Sequence, residues 1–220
     1  MATEVKVSIN DRQVWCIMGL PFDALTLDEA VGGIKKRVEL DQQCFLSTPN
    51  LNFVISAQTD AVFFQSVVGS DMSVADGMPL IWVAKLLGIP LTERVAGSTL
   101  FNQLSEQATD KKIRIFFFGG QDGVAEQAHQ RLNASSRSLE SCGYHDPGFV
   151  SIDEMSSVDI IDKINTAKPD FIVVALGAKK GQAWIQSNKH QLTAPIISHL
   201  GAVINFMAGS VVRAPERLLS

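Results

Sequence analysis

The sequence contains few cysteines, and the three present, Cys16, Cys44 and Cys142, are scattered along the chain. Their odd number and wide spacing match neither a disulfide framework nor a zinc-binding pattern with the four histidines. A chain of 220 residues buries enough surface to fold without such cross-links. The cysteine content therefore predicts a protein of a reducing compartment, the cytoplasm, with no metal site.

Long apolar runs and a surplus of positive charge are also lacking. No run approaches the ~18 apolar residues of a membrane span, and residues 1–16 contain no apolar signal core. Lysine and arginine number 19 against 23 aspartates and glutamates, which gives a net charge of -4. Since nucleic-acid-binding domains are expected to be basic, these features predict a soluble protein with no nucleic-acid partner. Such a protein can still touch a membrane surface.

Two nucleotide-related motifs are missing. No Gly-x-x-x-x-Gly-Lys-Ser/Thr sequence occurs, which excludes a P-loop NTPase. No Asp-x-Asp pair occurs either, and this pair commonly holds the divalent metal of metal-dependent sugar-nucleotide transferases. If the chain handles a diphosphate leaving group, arginine, lysine and helix dipoles must therefore stabilise the charge. We expect neither a metal nor another cofactor.

Short apolar runs alternate with amphipathic segments along most of the chain. The clearest buried strands are IRIFFFGG (113–120) and FIVVALG (171–177). Apolar residues recur at helical spacing over 51–68, and GSTLFNQLSEQATDKK (97–112) predicts a helix with Ser98 as its N-cap. This alternation predicts an α/β fold, with a Rossmann-like, mostly parallel sheet and helices on both faces.

The chain contains no internal repeat, low-complexity tract or linker, so residues 1–220 are predicted to form a single domain. In open parallel sheets, ligands bind beyond the carboxyl ends of the strands. The residues that directly follow each predicted strand are therefore the candidates for a functional site.

Two predicted strands end in polar residues. Asp76 and Gly77 close MSVADG, and Thr48 and Asn50 close CFLSTPN. A carboxylate at such a place can act as a general base if its surroundings raise its pKa, but Asp-Gly is equally typical of a turn or a cap. Thr48 and Asn50 can bind a polar ligand, or Asn50 can cap the next helix. The residue types alone leave these alternatives open.

The segment FGGQDG (118–123) partly matches a dinucleotide-binding fingerprint. Gly120 and Gly123 fit its last two glycines, but Phe118 occupies the position of the first. Gly119 and Gly120 can therefore permit close packing of helix and strand, contact a nucleotide phosphate, or form part of an NAD site.

Basic residues lie near several predicted turns. Arg94 precedes a glycine and a predicted helix, and Arg213 lies near the end of the chain. Both suit bidentate phosphate recognition, although surface arginines are common. In GAKKGQAW, Gly177 and Lys180 stand where a strand leads into a helix, and the helix N-terminus would favour an anion.

A set of ordered segments resembles the WecG/TagA/CpsF glycosyltransferases, glycosyltransferase family 26. The resemblance runs from about residue 17 to residue 215 and includes Ala-Asp-Gly, Arg-Val-x-Gly and a terminal Arg-Ala-Pro. Its segments are GLPFDALTLDEAVGGI, STPNLNFVISAQ, SVADGMPLIWVAKLLGIPLTERVAGSTL, IFFFGGQDGVAEQA, FIVVALGAKKGQAWI and GAVINFMAGSVVRAP.

The resemblance implies inverting transfer of a sugar from a UDP-sugar to an undecaprenyl-diphosphate-linked saccharide, in bacterial cell-surface polysaccharide synthesis. It implies a peripheral enzyme on the cytoplasmic face of the plasma membrane that needs no metal. The family base falls on Asp76, sugar-binding residues fall on Thr48 and Asn50, and a residue for the diphosphate or transition-state charge falls on Arg94.

This chain departs from the family pattern at two places. Where relatives carry Gly-Ala-Pro-Lys-Gln-Glu, the chain has Gly181 at the glutamine position and Gln182 at the acid position. Asn205 stands where an aspartate is usual. Gln182 and Asn205 are therefore expected to contact substrate in a subgroup with a different donor or acceptor. Relatives also continue past Arg-Ala-Pro with a basic, aromatic tail thought to meet the membrane, so a missing C-terminal tail is expected.

Two other functions remain open from the residues. The FGGQDG turn is compatible with an NAD-dependent oxidoreductase. The altered GAKKGQAW loop is compatible with a non-catalytic sugar-nucleotide-binding protein. A homo-oligomer formed through the helix that carries Trp82 is also possible.

Overall fold

A computed structural model of the chain describes residues 12–107 and 111–209. Within these residues the strands are β1 (Val14–Ile17), β2 (Leu20–Asp23), β3 (Cys44–Ser47), β4 (Met72–Ser73), β5 (Ile113–Gly119), β6 (Leu139–His145), β7 (Phe171–Ala175) and β8 (Ile196–His199).

Helices follow most of the strands. They are α1 (Leu27–Leu40), α2 (Leu51–Ala57), α3 (Ala61–Val68), α4 (Met78–Leu86), α5 (Gly97–Glu106), α6 (Val124–Ser135), α7 (Val158–Thr166), α8 (Ala178–Asn188) and α9 (Gly201–Ala208), with a short 3-10 turn at Glu154–Ser156.

Six of the strands form one sheet in the order β4-β3-β8-β7-β5-β6. Every paired neighbour in this sheet is parallel. The predicted Rossmann-like α/β fold with a mostly parallel sheet is therefore confirmed. Because parallel strands end at the same edge, the order places the carboxyl ends of β4, β3 and β8 side by side.

Both faces of the sheet are covered by helices, as the continuous apolar strands predicted. In β5, Ile115 and Phe117 pack in one apolar cluster, and Phe116 and Phe118 pack in another. Neighbouring strand residues point to opposite faces, so a strand buried on both sides needs apolar residues at every position. This requirement explains the uninterrupted IRIFFF sequence.

The helical segment predicted over 51–68 is divided into α2 and α3. The Asp60 side chain accepts a hydrogen bond of 3.0 Å from the Phe63 amide and so caps a new helix. The break redirects the chain while both helices keep apolar faces. The prediction of continuous helical spacing was therefore wrong at residues 58–60.

An antiparallel hairpin of β1 and β2 precedes the sheet and packs beside its edge. The buried carboxylate of Asp23 accepts a hydrogen bond of 2.6 Å from the Ser73 amide in β4. Arg12 donates to the same carboxylate at 2.7 Å. The hairpin thus closes part of the exposed edge of the short strand β4.

Candidate functional site

A cleft of about 170 Å³ opens at the carboxyl ends of β3, β4 and β8. We call it the edge cleft; the polar and glycine residues that line it are Thr48, Asn50, Asp76, Gly97, Ser98, His199 and Gly201. The sheet order brings these distant segments together, as expected for ligand sites of parallel sheets.

Asp76 is held in the edge cleft by its backbone. Its amide donates to the Pro49 carbonyl at 2.9 Å, and the Ala75 carbonyl accepts from the Val95 amide at 2.8 Å. Burial raises the pKa of the Asp76 carboxyl above its usual value, while the charge of Arg94 and the Gly97 amide lower it. A carboxylate with a raised pKa is a stronger base and suits proton abstraction.

Arg94 is half-buried and lies three residues before the start of α5. Its charge acts on Asp76, although its side chain does not line the edge cleft. The N-terminus of α5 enters the cleft at Gly97 and adds the positive end of a helix dipole. A Cβ on Gly97 would lie 2.5 Å from Leu200 Cδ2, so a larger residue there would have to displace the end of the Leu200 side chain.

Thr48 and Asn50 lie together in the cleft, and Thr48 is buried. Asn50 Oδ1 accepts a hydrogen bond of 3.2 Å from the Phe53 amide and caps α2. The capping role left open by the sequence is therefore observed. The capping hydrogen bond uses the side-chain oxygen of Asn50, and the residue also lines the cleft.

Ser98 does not cap α5, contrary to the prediction. The helix begins at Gly97, its N-cap is Ala96, and no side chain caps it. Ser98 instead lies in the first turn and lines the edge cleft. Ser98 is therefore a further residue of the candidate site.

Gly77 follows Asp76 with a φ of 146°, a conformation that favours glycine, and turns the chain into α4. Pro79 lies in the first turn of that helix, a position that proline favours. The turn thus fixes the direction of the segment that carries Asp76.

Gly119 and Gly120 lie at the end of β5, away from the edge cleft. Gly119 has a φ of 92°, and a Cβ there would lie 2.5 Å from the Ala175 carbonyl oxygen. The Gly120 amide donates to that same oxygen at 3.0 Å. Close packing against β7 accounts for the glycine at position 119, so this part of the motif needs no ligand to explain it.

The GAKKGQAW segment forms the start of α8, with Gly177 as its N-cap. Lys180 Nζ donates to the Val150 carbonyl, and Lys179 Nζ lies 3.1 Å from the Asp60 carboxylate. Both ammonium groups therefore have protein partners at this helix end. Neither lysine lines the edge cleft.

Gln182 is buried with 1% of its surface exposed and faces the sheet. Its Nε2 donates to Ser47 Oγ at 2.9 Å, and Ser47 Oγ lies 2.6 Å from Ser70 Oγ. The Ser70 hydroxyl donates to the Val67 carbonyl at 2.7 Å. The expectation that Gln182 contacts substrate disagrees with this placement, because the amide is used to join α8 to β3.

The two remaining predicted residues are placed differently. Asn205 lies in α9, whose first residue Gly201 borders the cleft, and it is half-buried. Arg213 lies outside the described residues. Their substrate-binding roles stay predictions.

His199 is a cleft residue that the sequence reasoning missed. It is the last residue of β8 and one of the residues that line the edge cleft. The sequence rule considered only residues that follow a strand, so it did not select this last residue of a strand. Burial lowers the pKa of His199 to about 4, so the imidazole is neutral at pH 7.

The described residues contain no group of three or more histidines, cysteines or acids that could hold a metal ion. None of the described helices is both long enough and apolar enough to cross a membrane.

Comparison with known proteins identifies relatives over most of the chain. An N-acetylglucosaminyldiphosphoundecaprenol N-acetyl-beta-D-mannosaminyltransferase of Bacillus spizizenii is 31% identical over 179 residues, covering 80% of this chain and 68% of the relative. The protein of the same name from Staphylococcus aureus strain NCTC 8325 is 25% identical over 201 residues, covering 90% and 77%. A solved arylmalonate decarboxylase structure aligns with 86% of this chain and 77% of that one, at 15% identity and a TM-score of only 0.29.

The family assignment rests on a match over residues 15–219 to the glycosyl transferase WecG/TagA/CpsF family. This range includes every element of the sheet and all of the residues that line the edge cleft. The chain therefore belongs to the WecG/TagA/CpsF family of glycosyltransferases.

Proposed function

We propose that the chain transfers an N-acetylhexosamine, with inversion, from a UDP-sugar to a sugar hydroxyl of an undecaprenyl-diphosphate-linked saccharide. The names of the two relatives support N-acetylmannosamine as the first sugar to test and N-acetylglucosaminyldiphosphoundecaprenol as the first acceptor. The product would be a lipid-linked intermediate of a bacterial cell-surface polysaccharide.

The observation that carries the proposal is the position and chemistry of Asp76. It combines burial, which raises its pKa, with placement in the edge cleft that Thr48 also lines. Inverting transfer needs one base on the side of the sugar opposite the leaving group. Asp76 supplies that base.

In the proposed reaction the Asp76 carboxylate removes the proton of the acceptor hydroxyl. The acceptor oxygen forms a bond to the anomeric carbon as the bond from that carbon to the diphosphate oxygen breaks. UDP leaves with the electron pair, and the proton remains on Asp76 until it passes to solvent. Thr48 and Asn50 orient the sugar by hydrogen bonds.

Negative charge grows on the diphosphate as UDP leaves. Arg94 and the N-terminus of α5 supply positive potential beside Asp76. These groups do the electrostatic work that a bound cation performs in metal-dependent transferases. Gly177 and Gly120 lie at other strand ends of the same sheet edge and are proposed to border the nucleotide.

The lipid acceptor places the reaction next to a bilayer. We propose that the protein acts peripherally, at the cytoplasmic face of the bacterial plasma membrane. Flotation with vesicles that contain the lipid-linked acceptor tests this location: acceptor-dependent flotation is expected, and its absence under turnover conditions would reject it.

The experiment for the function is a transfer assay with UDP-N-acetylmannosamine and a lipid-diphosphate N-acetylglucosamine acceptor. Formation of a lipid-linked disaccharide, together with stoichiometric UDP, is the expected result. UDP-N-acetylglucosamine and UDP-glucose serve as comparison donors. Tight UDP-sugar binding without product from any donor would favour a non-catalytic binding protein, and binding of NAD but not UDP would favour an oxidoreductase.

A further inference from the structure

The His199 ring occupies a tight space between two helix ends. It projects from the end of β8 towards the first turns of α8 and α9. A Cβ built on Gly201 would lie 3.3 Å from His199 Nε2. A Cβ built on Gly181 would overlap the ring at Cδ2 and lie 3.0 Å from Cγ.

Glycine at position 181 is therefore a condition for this placement of His199. Any larger residue there would compete with the imidazole for one space, because its first side-chain atom already overlaps the ring. The His199 ring thus fills the space that a side chain at position 181 of α8 would occupy.

His199 Nε2 is buried and has no hydrogen-bond partner. Buried polar atoms in folded proteins are nearly always paired, so an unpaired ring nitrogen calls for an explanation. His199 is also one of the residues that line the edge cleft, together with Asp76 and Thr48. A ligand in the cleft can supply the missing partner once the ring adjusts about its side-chain torsions.

The imidazole is uncharged at neutral pH, because burial lowers the pKa of His199 to about 4. A neutral imidazole offers one N–H donor and one acceptor nitrogen. This pair of groups matches a hydroxyl or an amide better than a phosphate, which requires donors and favours positive charge.

We propose that His199 binds a hydroxyl or acetamido group of the transferred sugar and thereby helps to select the donor. The inference rests on the proposed function, since it assumes a UDP-sugar in the edge cleft. It assigns to β8 a contact that the glycine at position 181 makes possible. In this proposal the imidazole of His199 at the end of β8 contacts the sugar, and no side chain of α8 does.

The test compares His199→Ala with the wild-type protein in two measurements. Calorimetry with UDP alone and with UDP-N-acetylmannosamine separates nucleotide binding from sugar binding. We expect unchanged UDP affinity, and a loss of about tenfold in UDP-sugar affinity and in kcat/KM, the factor for one neutral hydrogen bond. The exposed His190→Ala, just beyond α8, is the matched control and should change neither value.

A double-mutant cycle tests the shared space directly. Gly181→Ala should displace the ring and reproduce the tenfold loss of UDP-sugar affinity. Added to His199→Ala, the same substitution should cause no further loss, because the ring is already absent. Circular dichroism and thermal unfolding establish that each variant is folded, and His199→Asn, which keeps a donor and an acceptor, should recover part of the affinity.

Equal loss of UDP and UDP-sugar affinity in His199→Ala would overturn the inference, because it would indicate a nucleotide or purely structural role. Unchanged affinity of His199→Ala for UDP-N-acetylmannosamine would also overturn it while leaving the proposed transferase function intact. Wild-type protein that binds no UDP-sugar and forms no product would reject the proposed function itself, and the inference with it.

Discussion

The guanidinium of Arg94 and the burial of Asp76 act in opposite directions on the same carboxyl. Burial raises the pKa of Asp76 and is the larger effect, while the Arg94 charge lowers it. The outcome is a carboxyl group whose pKa lies above that of an exposed aspartate and which is therefore the stronger base. An arginine in this place can therefore tune the base as well as stabilise the diphosphate.

Replacing Arg94 with glutamine should separate these two effects. Loss of the charge raises the pKa of Asp76 further, so the acidic limb of the pH profile of kcat/KM should move to higher pH. The plateau should also fall by about 10²-fold, because a charge that stabilises the leaving diphosphate is gone. Steady-state rates from pH 4 to pH 9 measure both changes.

Arg137→Gln, at an exposed position after α6, serves as the charge control and should leave the profile in place. If Arg94→Gln lowered the plateau without moving the acidic limb, Arg94 would act on the substrate alone. The electrostatic link to Asp76 would then be rejected.

Gln182→Leu distinguishes a structural amide from a ligand contact. Removing the buried donor leaves Ser47 without its Gln182 partner, and we expect a loss of about 1–3 kcal/mol in the free energy of unfolding. UDP affinity of the folded protein should change little. Urea denaturation and calorimetry provide the two values, with the exposed Gln127→Leu of α6 as the control. A large loss of affinity in a protein of normal stability would restore Gln182 to the binding site.

The effect of Gly181→Ala on the free energy of unfolding should depend in sign on whether residue 199 is histidine or alanine. In the wild-type protein the new methyl overlaps the His199 ring, and strain of about 1–3 kcal/mol is expected. In His199→Ala the same change should stabilise the protein by about 0.5–1 kcal/mol, because alanine is the better helix residue. Urea denaturation of the four proteins measures this reversal.

Gly32 in α1 provides the control, because a Cβ there meets no atom within 4 Å. Gly32→Ala should raise the free energy of unfolding by the same amount in the wild-type protein and in His199→Ala. Stabilisation by Gly181→Ala in the wild-type protein would mean that the ring and the residue at position 181 do not share space.

The stability of the protein should depend on His199 in mildly acidic solution. Its folded-state pKa of about 4 lies below the ordinary value of 6.5. Between these values the unfolded chain binds a proton that the folded chain does not, so stability falls as pH falls from 6.5 to about 4. The wild-type protein should lose up to about 3 kcal/mol more than His199→Asn over this interval. Parallel curves for the two proteins from urea denaturation at each pH would contradict the prediction.

Much of the sheet could be predicted because its long strands are continuous apolar runs. The strand predicted over 113–120 is β5 with one residue fewer, and the one predicted over 171–177 is β7, which ends at Ala175. The hairpin strands β1 and β2 have only four residues each, and β4 has two. Such short strands owe their pairing to contacts like the one between Asp23 and Ser73, and local periodicity does not record those contacts.

The clustering of candidate residues follows from the sheet order. Asp76 and Thr48 both line the edge cleft because they follow β4 and β3, which lie side by side in the sheet. Their roles stay predictions. His199 was missed because the rule selected residues that follow a strand, and His199 is itself the last residue of β8. Gln182 was misplaced because it belongs to the buried face of α8 with Trp184 and Ile185, a spacing that the glycine-rich start of the helix conceals.

The most direct test of the account is transfer by Asp76→Asn, measured as lipid-linked disaccharide and UDP release. The substitution keeps the shape of the side chain and removes the base. We predict a fall of about 10²–10⁴-fold in kcat, UDP-sugar affinity close to that of the wild type, and equal or greater stability at neutral pH, because a buried charge is lost. The exposed Asp162→Asn of α7 should behave as wild type. Transfer by Asp76→Asn at the wild-type rate would contradict the assignment of Asp76 as the base.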